Sequence, residues 1–322
     1  MKKIIVGTVS FLIMIVLMIA IILCFKTENI ESSDNKLQIV ATLFPQYDFA
    51  KHVAGDKANV KLLLNSGVEA HNYEPTAKDM ITIVNKAELF IYTGEELEPW
   101  TSSIVNNLEN TNCKIVNISN GINLIKIEDF EAKHLNSEIL LDEHEEEEEI
   151  YDEHIWLSTK NACIMINNIC EELSIIDQEN ADYYRKNADS YIAEISKIDS
   201  NLKEIVNEAK RKEIAVGGEF AYSYLVEEYG LNFVSVYNNC GAGEDPSIAK
   251  VKSVIDYINK YKLPAVFYEE LSEGTIAKMI AEETNAEPLV LYSIHNGNIE
   301  EDTYVSLMEK NLENLKKALK EE

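Results

Sequence analysis

Two histidines stand at polar turns just outside apolar runs, where a neutral imidazole can ligate a metal ion. His71 lies in the segment Gly67–Pro75, and His154 lies in Asp152–Leu157, directly before an Ile-Trp-Leu run. Neither belongs to a short-range motif such as HExxH, so a shared ion would require the fold to bring distant parts of the chain together. Taken singly, a histidine beside a glutamate is usually an ordinary surface residue.

Short apolar runs alternate with segments of helical period around His71. The first half of the chain predicts strands at Leu37–Pro45, Val60–Leu64, Leu89–Tyr92 and Cys113–Ile118, and helices at Tyr47–Ala54, Thr76–Asn85 and Pro99–Leu108. This alternation favours a parallel or mixed α/β sheet.

A long amphipathic helix is predicted over Gln178–Lys212, which contains no Gly or Pro and spaces its apolar residues three and four apart. At 1.5 Å per residue such a helix would be about 50 Å long, too long for one small domain. The alternation then restarts, with strands at Ile214–Val216, Phe233–Val236, Ala265–Tyr268 and Pro288–Leu291, and helices at Phe220–Tyr229, Pro246–Tyr261, Thr275–Thr284 and Tyr304–Leu319.

The predicted fold is therefore α/β, with two α/β lobes joined by one long rigid helix. The N-terminal lobe covers residues 37–177, the interlobe helix 178–212 and the C-terminal lobe 213–322. Ligands of open α/β sheets bind outside the carboxyl ends of the strands, which places the binding cleft between the lobes. Periodicity is lost between Glu128 and Glu153, which predicts a mobile acidic loop at 133–151 that includes the run Glu145–Glu149.

The N-terminus carries a targeting segment. Residues 1–24 combine two lysines with a long apolar run and are predicted to be a signal peptide or a membrane anchor, followed by a polar linker at 25–36. Cys24 is a candidate lipid attachment site, although Leu23 is larger than the residue usual before such a cysteine. The alternative is an uncleaved anchor. Either outcome places the rest of the chain outside the cytoplasm, tethered to the outer face of the cell membrane.

The composition limits the classes of partner. The 322 residues include 56 acidic and 29 basic side chains, for a formal net charge of −27, with 46% hydrophobic residues. Such an acidic protein excludes nucleic acid as a natural partner and attracts cations to a cleft lined with carboxylates.

The five cysteines show no CxxC spacing, which argues against a thiolate zinc site. An extracytoplasmic location leaves their disulfide pairing open.

Four segments together resemble a known family. They are Leu43–Asp48, Gly67–Pro75, Asp152–Leu157 and Gly241–Ser247, and they are similar in order and spacing to metal-binding ABC-transporter solute-binding proteins of the zinc/manganese class, cluster A-I. The resemblance implies a monomeric carrier, not an enzyme, that binds a divalent ion between two lobes. It also implies delivery of that ion to a membrane permease with its ATPase subunit.

The resemblance also implies a set of ligands. His71 and His154 match the family's first two, and Glu219 matches the third, where zinc-type members have His and manganese-type members have Glu. The fourth family ligand is usually an Asp, but this chain has Tyr292 at the closest position. His295, three residues further on, is our predicted fourth ligand, with Tyr292 or water as alternatives.

Imidazoles with one carboxylate make a nitrogen–oxygen set typical of Zn²⁺, and the Irving–Williams order favours zinc over manganese. Mn²⁺ stays open as the alternative, because Glu219 binding through both oxygens would suit it.

The acidic loop resembles the His/Asp/Glu-rich insertion of zinc-type members and either collects ions or is simply solvated. Rival functions are a zinc-dependent hydrolase, because three ligands plus water is a catalytic pattern, and a surface adhesin with a structural metal.

Overall fold

The computed structural model describes residues 36–64, 67–68, 73, 75–95, 97–108, 111–134, 150–238 and 246–320. His71, Cys24, Cys240, residues 135–149 of the predicted acidic loop and residues 241–245 lie outside the described residues. The predicted signal or anchor and the linker up to residue 35 also lie outside them. From Leu37 onward the chain forms one compact unit. Within the described ranges, no helix combines the length and apolar character needed to cross a membrane.

Four parallel strands form the sheet of the first lobe, in the order β2-β1-β3-β4. They are β1 (Leu37–Ala41), β2 (Ala58–Leu62), β3 (Leu89–Tyr92) and β4 (Lys114–Asn117), with helices α1 (Phe44–Ala54), α2 (Ala77–Lys86) and α3 (Ser102–Leu108) between them. All residues of β3 are buried apolar side chains, as expected for a parallel strand covered on both faces. A capping box between Thr76 and Asp79 fixes the start of α2.

Three helices connect the lobes: α4 (Ile127–His134), α5 (Thr159–Ile176) and α6 (Ala181–Glu208). The interlobe helix α6 has 28 residues and is therefore about 42 Å long. A 3₁₀ turn at Gln178–Asn180 precedes it, and extended backbone at Ala209 ends it before the predicted limit at Lys212. Its buried face, Tyr184, Ala188, Tyr191, Ile195, Ile198, Leu202 and Val206, follows the spacing expected from the sequence.

The second lobe repeats the topology of the first, with the parallel order β6-β5-β7-β8. Its elements are β5 (Glu213–Val216), α7 (Ser223–Tyr229), β6 (Asn232–Ser235), α8 (Ile248–Tyr261), β7 (Ala265–Tyr268), α9 (Thr275–Glu283), β8 (Glu287–Val290) and α10 (Tyr304–Leu319). The predicted architecture of two parallel α/β lobes and one long helix is confirmed.

Each sheet has a point where the strand order reverses, between β1 and β3 in one lobe and between β5 and β7 in the other. Crevices form at the carboxyl ends of strands at such points. In the first lobe Thr42 follows β1 and Thr93 follows β3, whereas in the second lobe Glu219 lies just beyond β5 and Glu269 follows β7. Polar residues therefore collect at both crevices.

The prediction of an irregular segment from Glu128 is wrong over its first residues, because Ile127–His134 form the helix α4. Phe130 of α4 is buried, and its ring lies 5.9 Å from that of Phe220 and 5.6 Å from that of Phe233 in the second lobe. These long-range contacts stabilise a helix of 8 residues that local periodicity alone does not reveal.

The described cysteines are Cys113, Cys163 and Cys170, and all three are free thiols. Burial raises the pKa of the Cys113 and Cys163 thiols to about 11. They are therefore neutral at physiological pH, as expected for small apolar residues rather than for thiolate ligands.

Candidate metal centre

Three side chains converge where the turn before α5 meets the loop after β8. Glu153, His154 and His295 each offer one ligand atom, and these atoms lie within 4.8 Å of one another. The two imidazole rings are 4.4 Å apart at their centroids. Both histidines are buried, whereas Glu153 is half-buried. The fold thus joins a carboxylate and two imidazoles from parts of the chain more than 140 positions apart.

His154 is held in one orientation by Asp152. The Nδ1–H of His154 donates to Asp152 Oδ1 at 2.7 Å, and the His154 backbone N–H donates to the same oxygen at 2.8 Å. A carboxylate on Nδ1 places the ring lone pair on Nε2, the arrangement found in metal-binding histidines. Tyr224 of the second lobe donates its hydroxyl proton to the carbonyl of Asp152 at 3.1 Å, which fixes this turn against α7.

His295 is oriented by Ser293. The Ser293 hydroxyl donates to Glu270 Oε1 at 3.1 Å, so its oxygen accepts a hydrogen bond from the His295 Nδ1–H at 3.2 Å. His295 Nε2 then faces Glu153 Oε1, also at 3.2 Å. Two acceptor atoms at this distance repel each other unless a proton or a metal cation lies between them. The pair is therefore a position at which a metal cation can bind.

The loop that carries His295 is strained and is held by Glu270. Ile294 is fully buried and has a φ of 63°, a left-handed conformation that a β-branched residue rarely adopts. The Glu270 carboxylate accepts from the backbone N–H groups of Ser293 at 2.8 Å and Ile294 at 3.0 Å. Burial raises the pKa of Glu270, while these hydrogen bonds act in the opposite direction. Backbone strain of this kind persists only where the surroundings impose it.

Glu219, the predicted third ligand, is half-buried just beyond β5 and lies outside the group of three. Its backbone N–H donates to Glu269 Oε2 at 3.1 Å. That carboxylate approaches so closely that a side chain at Gly218 would collide with it. Burial, together with the charge of Glu219, raises the pKa of Glu269. The role of Glu219 as a ligand stays a prediction, as does that of His71.

Sequence reasoning gave Glu153 no role. Its position directly before His154 could have indicated a metal ligand, but a glutamate beside a histidine is common at protein surfaces. Only the contact with His295 distinguishes it.

Tyr292, the alternative to His295, is half-buried, and its ring lies 5.3 Å from the ammonium nitrogen of Lys310.

Asn296 connects the His295 loop to the loop that leads toward His71. The Gly67 backbone N–H donates to Asn296 Oδ1, and Asn296 Nδ2 donates to the carbonyl of Val68, both at 3.1 Å. Asn296 is buried, and Gly67 has a φ of +80°, which favours glycine. This pair of bonds, here called the Asn296 clip, ties the two lobes together beside the metal centre.

A cavity of about 160 Å³ opens beside the centre. Its walls include Ile127 and Phe130 of α4, Phe220 of the second lobe, and both Glu153 and His154. It therefore gives a small ion access to two of the three converging side chains.

Comparison with known proteins identifies the family of this chain. The family model of the zinc-uptake complex component A, periplasmic (ZnuA), matches residues 39–318. The zinc-binding lipoprotein AdcA of Streptococcus pneumoniae R6 is 32% identical over 300 residues, which cover 91% of this chain and 58% of AdcA. The high-affinity zinc uptake system protein ZnuA of Bacillus subtilis is 32% identical over 293 residues, covering 90% of this chain and 89% of ZnuA. The chain thus spans little more than half the length of AdcA.

Solved structures are also similar. The metal-dependent lipoprotein YcdH of Bacillus subtilis superposes with a TM-score of 0.73 and 30% identity, covering 88% of this chain and 99% of YcdH. The Zn(II)-bound ZnuA-like domain of Streptococcus pneumoniae AdcA gives a TM-score of 0.72 and 30% identity, covering 89% of this chain and 100% of that domain.

Proposed function

Because this chain belongs to the family of the periplasmic zinc-uptake complex component A, as its motifs had indicated, we propose that it is the extracytoplasmic solute-binding component of an ABC importer. It captures a zinc ion and passes it to a membrane permease with its ATPase subunit. The observation that carries this proposal is the convergence of Glu153, His154 and His295 at the interlobe cleft. The protein is a carrier and not an enzyme, tethered to the membrane through Cys24 or an uncleaved anchor.

The donor set suits zinc. Two imidazoles and one carboxylate supply three of the four ligands of a tetrahedral Zn²⁺ site, and His71 is the proposed fourth. The Asn296 clip supports this, because it holds Val68 at the His295 loop. His71 lies three residues beyond Val68, and an extended chain spans at most about 10 Å over three residues.

Manganese is the alternative cargo. Mn²⁺ prefers a shell richer in oxygen than two imidazoles and one carboxylate provide. If Glu219 joins Glu153 at the ion, the shell gains a second carboxylate and the preference moves toward manganese.

The function is tested by competitive titration of the purified chain with Zn²⁺ and Mn²⁺. We expect one ion per chain, with zinc bound more tightly, and no hydrolysis of esters or peptides by the zinc-loaded protein. Catalytic turnover would favour the hydrolase instead, and a protein that binds neither ion would exclude the carrier. Tighter binding of Mn²⁺ would reassign the cargo.

Glu153 is expected to be a ligand. Glu153→Gln should lower zinc affinity at least about tenfold, or about 1.4 kcal/mol, because a neutral amide oxygen replaces an ionised donor. Glu128→Gln removes the same charge from an exposed position on α4 and should leave the affinity unchanged. Isothermal titration of both variants compares them. Equal affinities would remove Glu153 from the site.

The Asn296 clip is expected to position the His71 loop. Asn296→Ala should lower zinc affinity by roughly tenfold, the usual effect of losing a residue that orients a metal ligand, and should accelerate zinc dissociation. Asn298→Ala, on an exposed neighbour, is the control. A variant that loses thermal stability but keeps the wild-type dissociation rate would show that the clip serves only the fold.

A further inference from the structure

A buried polar cluster lies at the crevice of the first sheet. It consists of Thr42 after β1, Gln46 on α1, Thr93 after β3 and Glu98, each between 0% and 3% exposed. A carboxyl group in such a place needs a hydrogen-bond partner for each oxygen, because unsatisfied buried polar atoms are costly.

Only part of this cluster is satisfied. Glu98 Oε2 accepts from the Thr93 backbone N–H at 2.6 Å and from the Thr42 hydroxyl at 3.0 Å. Gln46 Nε2 donates to the Thr93 hydroxyl oxygen at 2.5 Å. Among the described residues, nothing donates to Glu98 Oε1 or Gln46 Oε1, although both atoms are buried. A proton on Glu98 Oε1 would turn one of these two acceptor atoms into a donor.

The charges around Glu98 also oppose its ionisation. Its hydrogen-bond donors, Thr42 just after β1 and Thr93 just after β3, are uncharged, and the negative charge of Glu153, from the turn before α5, acts on it. Burial is the main cause that raises the pKa of Glu98, to about 7, although the hydrogen bonds from Thr93 and Thr42 act in the opposite direction. The negative charge of Glu153 makes a smaller contribution, which also raises this pKa.

We propose that Glu98 is a binding site for one proton, which it holds in the metal-free protein and releases when a divalent cation binds at Glu153, His154 and His295. The O–H bond of the carboxylic acid breaks, its electron pair stays on the carboxylate, and the proton passes to bulk water. The inference rests on the proposed function. It adds that ion capture expels a proton from a residue that is not itself one of the three converging side chains.

The coupling is electrostatic. A divalent ion on Glu153 changes the charge that faces Glu98 from negative to positive, which favours the carboxylate form of Glu98. The two sites are also joined through the backbone, because the Phe44 N–H donates to the carbonyl of His295 at 3.4 Å. Phe44 lies between Thr42 and Gln46 in the chain. Protonation of Glu98 should in turn favour release of the ion.

Glu98→Gln is the informative variant, because glutamine resembles the protonated acid. It keeps an acceptor for Thr93 and Thr42, supplies a donor to the cluster and cannot titrate. The control is Glu95→Gln, which removes a charge from an exposed position three residues earlier. Both variants, as full-length chains in detergent, should unfold at temperatures close to that of the wild type.

The first measurement is infrared difference spectroscopy at pH 6. Saturating Zn²⁺ should remove a protonated-carboxyl band from the wild type and from Glu95→Gln, and this band should be missing in Glu98→Gln. The comparison between variants is required because the pKa values of Glu269 and Glu270 are also raised. A band that persists in zinc-saturated wild type, or one that Glu98→Gln retains, would overturn the proposal.

The second measurement counts protons. Zinc binding by the wild type should release about one proton more than binding by Glu98→Gln at the same pH, as linked ionisation requires. Equal proton counts would overturn the proton site while leaving the zinc carrier intact. A wild-type protein that binds no zinc would overturn the carrier and the exchange together, so the two failures are distinguishable.

Discussion

Replacing His154 by Ala is expected to lower the zinc affinity by about a thousandfold, or about 4 kcal/mol. The variant loses the Nε2 donor that Asp152 orients through the 2.7 Å bond to Nδ1. A methyl group cannot substitute for this donor, because it carries no lone pair. The fold should persist, because the backbone N–H of residue 154 still donates to Asp152.

The control for this prediction is His52→Ala. His52 lies on α1, stacks on Tyr191 and bonds to Asp48, and it is not in the group formed by Glu153, His154 and His295. Equilibrium competition with a chromophoric zinc chelator measures both variants. If His154→Ala retained wild-type zinc affinity while His52→Ala lost it, the metal site would have to be assigned to α1 instead.

Glu270→Ala is expected to have the largest effect on stability, with a loss of at least about 3 kcal/mol in the free energy of unfolding. Three donors, the N–H groups of Ser293 and Ile294 and the Ser293 hydroxyl, would lose their acceptor. The loop could then relax the strained backbone of Ile294, whose φ is 63°. His295 would no longer be oriented, so zinc affinity should fall as well.

Urea unfolding and zinc titration measure the two effects separately. Glu273→Ala, on an exposed residue shortly after Glu270, is the matched control and should change neither quantity. Glu270→Gln should be intermediate, because its remaining oxygen can still accept from Ile294 while its amide group opposes the Ser293 N–H. A Glu270→Ala variant as stable as the control would show that the loop geometry does not depend on this carboxylate.

The family and the fold were accessible from the sequence because both depend on local patterns. Apolar runs set the strands, the spacing of three and four set α6, and the motif around His154 indicated a metal carrier. The structure confirms the two lobes and the long helix. His154 and His295 were both singled out from the sequence, and they lie in one group with Glu153.

The helix α4 and the contributions of Glu153, Glu270 and Asn296 were decided only by the tertiary structure. Glu153 meets His295 across 142 positions, and Asn296 meets Gly67 across 229. Periodicity states which face of an element is buried, but it does not state where two lobes bring their strand ends together. That relation depends on how the two lobes pack against each other. The orientations of His154 and His295 depend in turn on their contacts with Asp152 and Ser293.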